Sequence, residues 1–363
     1  MKKNICLLLV LLIVIQFAGC ATDTHDTLEE ADSTGQSAEY AAESPEPPQR
    51  EVTLPDPDEP EDDPPYNPLA GSFNLVAFAV TSEPMQDFEA EHAVTEEQER
   101  YLAFGSFVLT NNFESVRVFA LNSSSSNAAR LLRDYWGVTD RQSAIDQLMP
   151  LAQANGQSPA ADDIFNTFVR NGHLDPLHPL ELIYAEADSG FIIIPGIENV
   201  YDSTVSRASR MTDEFEHFME SSEIPEEDRD EAFEVFVILL LTERINRGLG
   251  AYVDAKNMLI RLFGYTEEEL LSIETLAAWD YGRVAIVARY GVAAGYIDED
   301  TAWEYLALAA SNASHVYSSW REYTAAHIMG RALAFGNNSR DFVNTLDFLL
   351  NYDESPFQRI AFD

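Results

Sequence analysis

Cysteine is nearly absent from this 363-residue chain: only Cys6 and Cys20 occur, both close to the N-terminus. Everything beyond them lacks a disulfide, a thiol nucleophile and a cysteine-ligated zinc site. Positive charge is also scarce, with 22 Lys and Arg against 62 Asp and Glu and a formal net charge of −40. That balance repels phosphate backbones and leaves no polybasic segment for anionic lipid, so nucleic acid is excluded as a partner. Lysine is confined to Lys2, Lys3 and Lys256, so the cationic groups of the bulk of the chain are guanidinium groups. Either a salty habitat or drift toward acidity produces such a composition. No apolar run reaches the ~20 residues of a membrane-spanning helix. There is no phosphate loop, no calcium loop and no Gly-x-Ser-x-Gly elbow, and neither a cofactor nor a metal is implied.

What is present begins with an address. Lys2 and Lys3 precede an apolar run from Ile5 to Ala18, which ends at Phe17-Ala18-Gly19-Cys20. This reads as a signal peptide over residues 1–19, and its last residues resemble a lipobox, which implies that Cys20 is acylated and becomes the first mature residue. Two acyl chains anchor stably, at ~0.8 kcal/mol per buried CH₂. The expected location is the cell envelope, lipid-anchored on the extracytoplasmic side of the plasma membrane, or of the outer membrane in a host that has one. Removing residues 1–19 takes away two lysines, leaving 20 basic against 62 acidic residues, or −42. Residues 20–69 are rich in Asp, Glu, Ser, Thr and Pro and contain Asp56-Pro57-Asp58-Glu59-Pro60-Glu61-Asp62-Asp63. Such a stretch buries too little apolar surface to offset its ordering entropy. It is expected to be a disordered spacer reaching at most about 160 Å at ~3.3 Å per residue, with a charged tail for a basic partner as the alternative.

Residues 70–363 are expected to form one all-α domain of glycine-punctuated helix pairs. The phrases Trp136-Gly137-Val138, Phe263-Gly264-Tyr265 and Tyr290-Gly291-Val292 each put a glycine, able to take a left-handed conformation, after an aromatic and before an apolar residue that packs back. Thr95 with Gln98, Thr139 with Gln142 and Thr266 with Glu269 have capping-box spacing, and Asp298 is a candidate N-cap. Apolar spacing agrees, predicting helices near 95–110, 127–136, 140–153, 205–220, 226–247, 251–263, 274–294, 299–316, 318–335 and 339–351. Phe191-Ile192-Ile193-Ile194-Pro195-Gly196 is a strand or a buried loop, and nothing firm is predicted between Asn171 and Ser203.

A set of phrases in this order resembles the bacterial family catalogued as domain of unknown function 1266. They are Trp136-Gly137-Val138 with Arg141, Ala278-Trp279-Asp280-Tyr281-Gly282-Arg283, Gly295-Tyr296-Ile297 with Ala302-Trp303, and Ser319-Trp320 with Gly330-Arg331. The resemblance spans about Thr95 to Gly336. It implies a helical fold and no particular activity.

Charges in an apolar stripe mark the candidate site. On one helix Leu276, Trp279, Val287 and Tyr290 share a face into which Asp280 and Arg283 also fall, while Ala278, Gly282 and Ala285 leave the opposite side open to a close neighbour. On another, Trp320, Thr324, His327 and Arg331 share a face. If the two faces meet, a carboxylate, two guanidinium groups, an imidazole and an indole converge. One reading is a structural ion pair of Asp280 with an arginine, packed among Trp320 and His327; the other is a pocket in which Arg283 and Arg331 hold an anionic group against Trp320. His173 and His178 are weaker candidates as metal ligands, because Pro176 breaks their register. The function that follows is a non-catalytic binding domain for a protein or a small anionic ligand, anchored to the membrane through Cys20. A hydrolase using Asp280, His327 and Arg331 is the alternative.

Overall fold

Side-chain caps open half of the described α-helices. Thr95 and Gln98 form a reciprocal capping box, as do Thr266 and Glu269, and Asp298 accepts the amide of Thr301. The expected box at Thr139 and Gln142 is instead made one residue on, by Asp140 and Ser143. The computed structural model describes residues 74–121, 124–186, 190–336 and 342–362; the expected signal peptide, Cys20 and acidic tether lie outside them. Among the described residues the fold is all-α with one small hairpin. The helices are α1 Leu75–Val80, α2 Glu83–Glu91, α3 Glu96–Ala103, α4 Ser106–Asn111, α5 Ser125–Trp136, α6 Arg141–Ala152, α7 Ser158–Ile164, α8 Glu198–Ala208, α9 Thr212–Ser221, α10 Arg229–Phe263, α11 Glu267–Ser272, α12 Ala278–Ala293, α13 Glu299–Val316, α14 Trp320–Phe335, α15 Val343–Asn351 and α16 Pro356–Arg359. The segment between α7 and α8 holds the hairpin, β1 Ile183–Glu186 paired antiparallel with β2 Gly190–Ile193, so the apolar run at Phe191 is a strand.

Glycine had more than one use. Gly137 and Gly264 take the left-handed conformation and Val138 and Tyr265 pack back, as their phrases predict. Gly291 does not end its helix: α12 runs on to Ala293 and Gly295 is the left-handed residue, while the missing side chain of Gly291 makes room for Ile297. The break expected at residues 248–250 is also absent. α10 is one 35-residue helix, about 52 Å long at 1.5 Å per residue, and a Cβ on Gly248 would stand 2.8 Å from the carbonyl oxygen of Leu333 in α14. Conversely, the stretch expected at 95–110 is divided at Phe104-Gly105, and that at 205–220 at Ser209-Met211.

Every residue of α12 from Ala278 to Gly291 is buried. A helix surrounded on all sides is central, and α12 packs on α4, α5, α6, α7, α13 and α14. Its small side is where neighbours come closest, since a Cβ on Gly282 would be 2.5 Å from His327 Cε1 and one on Gly105 2.1 Å from Ala285 Cβ. A second, smaller core of Phe215, Phe218, Met219, Val235 and Phe236 joins α9 to the first turns of α10.

Candidate functional site

Asp280 stands in the first turn of α12 and is fully buried. Its carboxylate faces the start of α7, where it accepts the backbone N–H groups of Gly156 (2.9 Å), Gln157 (3.0 Å) and Ser158 (3.1 Å). These are amides that a helix start leaves without partners. Arg283, one turn on, donates to the same carboxylate, to Gln157 Oε1 (2.9 Å) and to Trp279 O (3.2 Å). Its guanidinium lies over the Trp279 ring at 4.4 Å and near that of Trp136 at 5.6 Å. Burial pulls the Arg283 pKa down and the Asp280 charge opposes that shift.

The favour is returned from the other helix. Asp162 of α7 accepts the amide of Leu276 (2.6 Å) and the hydroxyl of Thr275 (2.6 Å), just ahead of α12. Burial nevertheless raises its pKa, against the lowering effect of those bonds. Each helix therefore supplies the carboxylate at the other's N-terminus. Gly156 is required at the crossing, because a Cβ there would lie 2.8 Å from Asp280 Oδ1.

The two predicted faces do meet, since α12 packs on α14, but their polar groups fan out. His327 Nδ1 is 3.0 Å from Ala278 O, and the ring is walled by Phe107 and Trp279 at centroid distances of 4.5 and 5.2 Å. Burial lowers its pKa to about 3, so the imidazole is neutral and Nδ1 carries the proton it donates. Nε2 is buried with no hydrogen-bond partner among the described residues. Trp320 points toward the C-terminal segment, donating to Ile360 O (2.7 Å) and stacking on Phe357 at 4.4 Å. Arg331 places its guanidinium over Phe342, 4.1 Å from the ring centroid. Asp280 thus pairs with Arg283 and not with Arg331. Of the two weaker candidates, His178 caps the 3-10 turn Pro179–Glu181 through Nδ1 and His173 is exposed.

Residues 196–362 match the family model described as Protein of unknown function (DUF1266). The chain carries a domain similar to this family. Asp280, Arg283, Trp320, His327 and Arg331 all lie inside the matched DUF1266 segment, whereas Gly156, Gln157, Ser158 and Asp162 precede it. So do Trp136-Gly137-Val138 and Arg141, on which the resemblance partly rested. No curated protein and no solved structure matches the chain significantly.

Several residues of this neighbourhood carried no signal in sequence. Gly156 to Ser158 are 122 to 124 positions from Asp280, and nothing local marks a loop whose amides await a distant carboxylate. Arg289 is another: fully buried in α12, it donates to the backbone oxygens of Phe119 (2.9 Å), Ser115 (2.7 Å) and Ala120 (2.5 Å) and so pins the loop after α4. Burial brings its pKa down to about 10, with Glu114 opposing.

Proposed function

We propose that this protein is a lipid-anchored component of the cell envelope whose helical domain binds a partner or a small anionic ligand and performs no catalysis. One observation supports the non-catalytic half of this reading. The Asp280 carboxylate is held by three amides and a guanidinium, and His327 is a neutral imidazole buried between α12 and α14. A general base needs reach to a substrate proton, and neither group has it. In this reading the cluster is structural, an ion pair that fixes α7 against α12. Support for the anchor is the lipobox-like ending at Cys20 and the acidic, proline-rich stretch after it, and the same address motivates the plasma or outer membrane as its location.

Both halves are open to test. Cells fed labelled palmitate should incorporate label into the wild-type chain and not into Cys20→Ser, which should also leave the membrane fraction; equal labelling would remove the anchor. Thermal unfolding across anionic metabolites and peptidoglycan fragments should find a compound that raises the midpoint. His327→Ala should lower stability. Turnover of a hydrolase substrate panel that His327→Ala abolishes in a folded protein would establish the enzyme instead.

A further inference from the structure

Away from the buried cluster, three arginines of α8 and α10 stand together with little to neutralise them. Arg244 of α10 reaches across to α8, where its Nη1 donates to Ser203 Oγ (2.6 Å) and Thr204 Oγ1 (3.3 Å) and approaches Val200 O at 3.5 Å. All three acceptors are uncharged. Arg207 follows Ser203 by four residues and Thr204 by three, which puts it on the α8 face that Arg244 touches, and Arg247 follows Arg244 by one turn of α10. The stem of Arg247 is steadied against Gly336, where a Cβ would lie 2.2 Å from its Cγ. Glu243, 3.8 Å from Arg247, is the one carboxylate within 4 Å of any of the three among the described residues.

Elsewhere several arginines are neutralised directly. Arg117, Arg229, Arg283, Arg321 and Arg359 each have a carboxylate close by, as a chain with 62 acidic residues readily provides. Here like charges face one another: burial first, and then the charges of Arg207 and Arg247, hold the Arg244 guanidinium below its usual pKa. Arg207 is exposed and has no side-chain hydrogen bond or ion pair among the described residues. Among the described residues, three positive charges with one carboxylate within 4 Å leave two without direct neutralisation. A carboxylate ligand would neutralise one of these, whereas a phosphate monoester carries both charges and several acceptor oxygens for forked guanidinium donors.

We propose that Arg207, Arg244 and Arg247 form a binding site for a dianionic phosphate group, presented either by inorganic phosphate and soluble monoesters or by a lipid headgroup. This deepens the binding reading above and names its ligand chemistry.

The test uses the full-length Cys20→Ser chain, titrated calorimetrically with inorganic phosphate at low ionic strength. Saturable binding is expected, weakened about tenfold or more by Arg207→Gln and again by Arg247→Gln, and tightened by Glu243→Gln. Because Arg207 is exposed, Arg207→Gln should keep the wild-type unfolding midpoint in the absence of phosphate, which separates lost binding from lost fold. Co-sedimentation with phosphatidylcholine vesicles, with and without phosphatidic acid, distinguishes the sources. Capture that needs phosphatidic acid and fails in Arg207→Gln identifies a headgroup; phosphate binding without vesicle capture identifies a soluble ligand. Absence of both, or phosphate binding that survives Arg207→Gln with Arg247→Gln, overturns the site. That result would leave the anchored binding reading intact, because palmitate labelling and the midpoint panel decide it separately.

Discussion

His327 offers a titration that can be followed. Its folded pKa of about 3 lies below the ordinary value of 6.5, because burial opposes the charged form. The unfolded chain therefore takes up a proton that the folded chain refuses. The contribution is complete above about pH 6.5 and is lost as pH falls from there toward about 3, at up to ~1.4 kcal/mol per pH unit. Urea unfolding at about pH 7 and about pH 5 should show a larger loss for wild type than for His327→Gln, which does not titrate; parallel losses would contradict a neutral buried imidazole. Asp280 makes a different prediction. Asp280→Ala leaves Arg283 buried without its counter-charge and should cost about 3–5 kcal/mol, and adding Arg283→Met should restore part of that stability. The pair itself was legible as charges inside an apolar stripe. Its amide partners were not, because sequence periodicity reports which face is buried and not which distant loop covers it.

At the scale of elements, helix ends were the most readable feature, since a cap is a local bargain between residues three or four apart. Thr95, Thr266 and Asp298 are N-caps, and Gly137 and Gly264 end their helices. Gly248 and Gly291 misled for one shared reason: a glycine that ends a helix and a glycine that admits a neighbour are the same letter. Gly248→Ala separates the two uses. Alanine is the better helix former by about 1 kcal/mol, so it should stabilise if Gly248 only weakens α10. The Leu333 carbonyl 2.8 Å from the added carbon predicts the opposite sign, a loss of about 1–3 kcal/mol in chemical denaturation.

The whole molecule is organised around α12, and α10 extends from the main core to the smaller one at α9. That smaller core depends on few residues, so amide exchange should find α9 and the first turns of α10 opening before α12. The exchanged carboxylates of α7 and α12 bear on how the chain can be divided. The recognised segment starts at residue 196, yet the amides that satisfy Asp280 and the carboxylate that satisfies the entry to α12 both belong to residues before it. Cut at that boundary, the segment would keep the Asp280–Arg283 pair and lose the three amides that complete it. Residues 196–362 expressed alone should be unfolded or aggregated by circular dichroism, while 74–362 should unfold cooperatively. On that outcome the stretch by which relatives are recognised would be shorter than the stretch that can exist on its own, and the smallest inheritable unit would include the turn at Gly156.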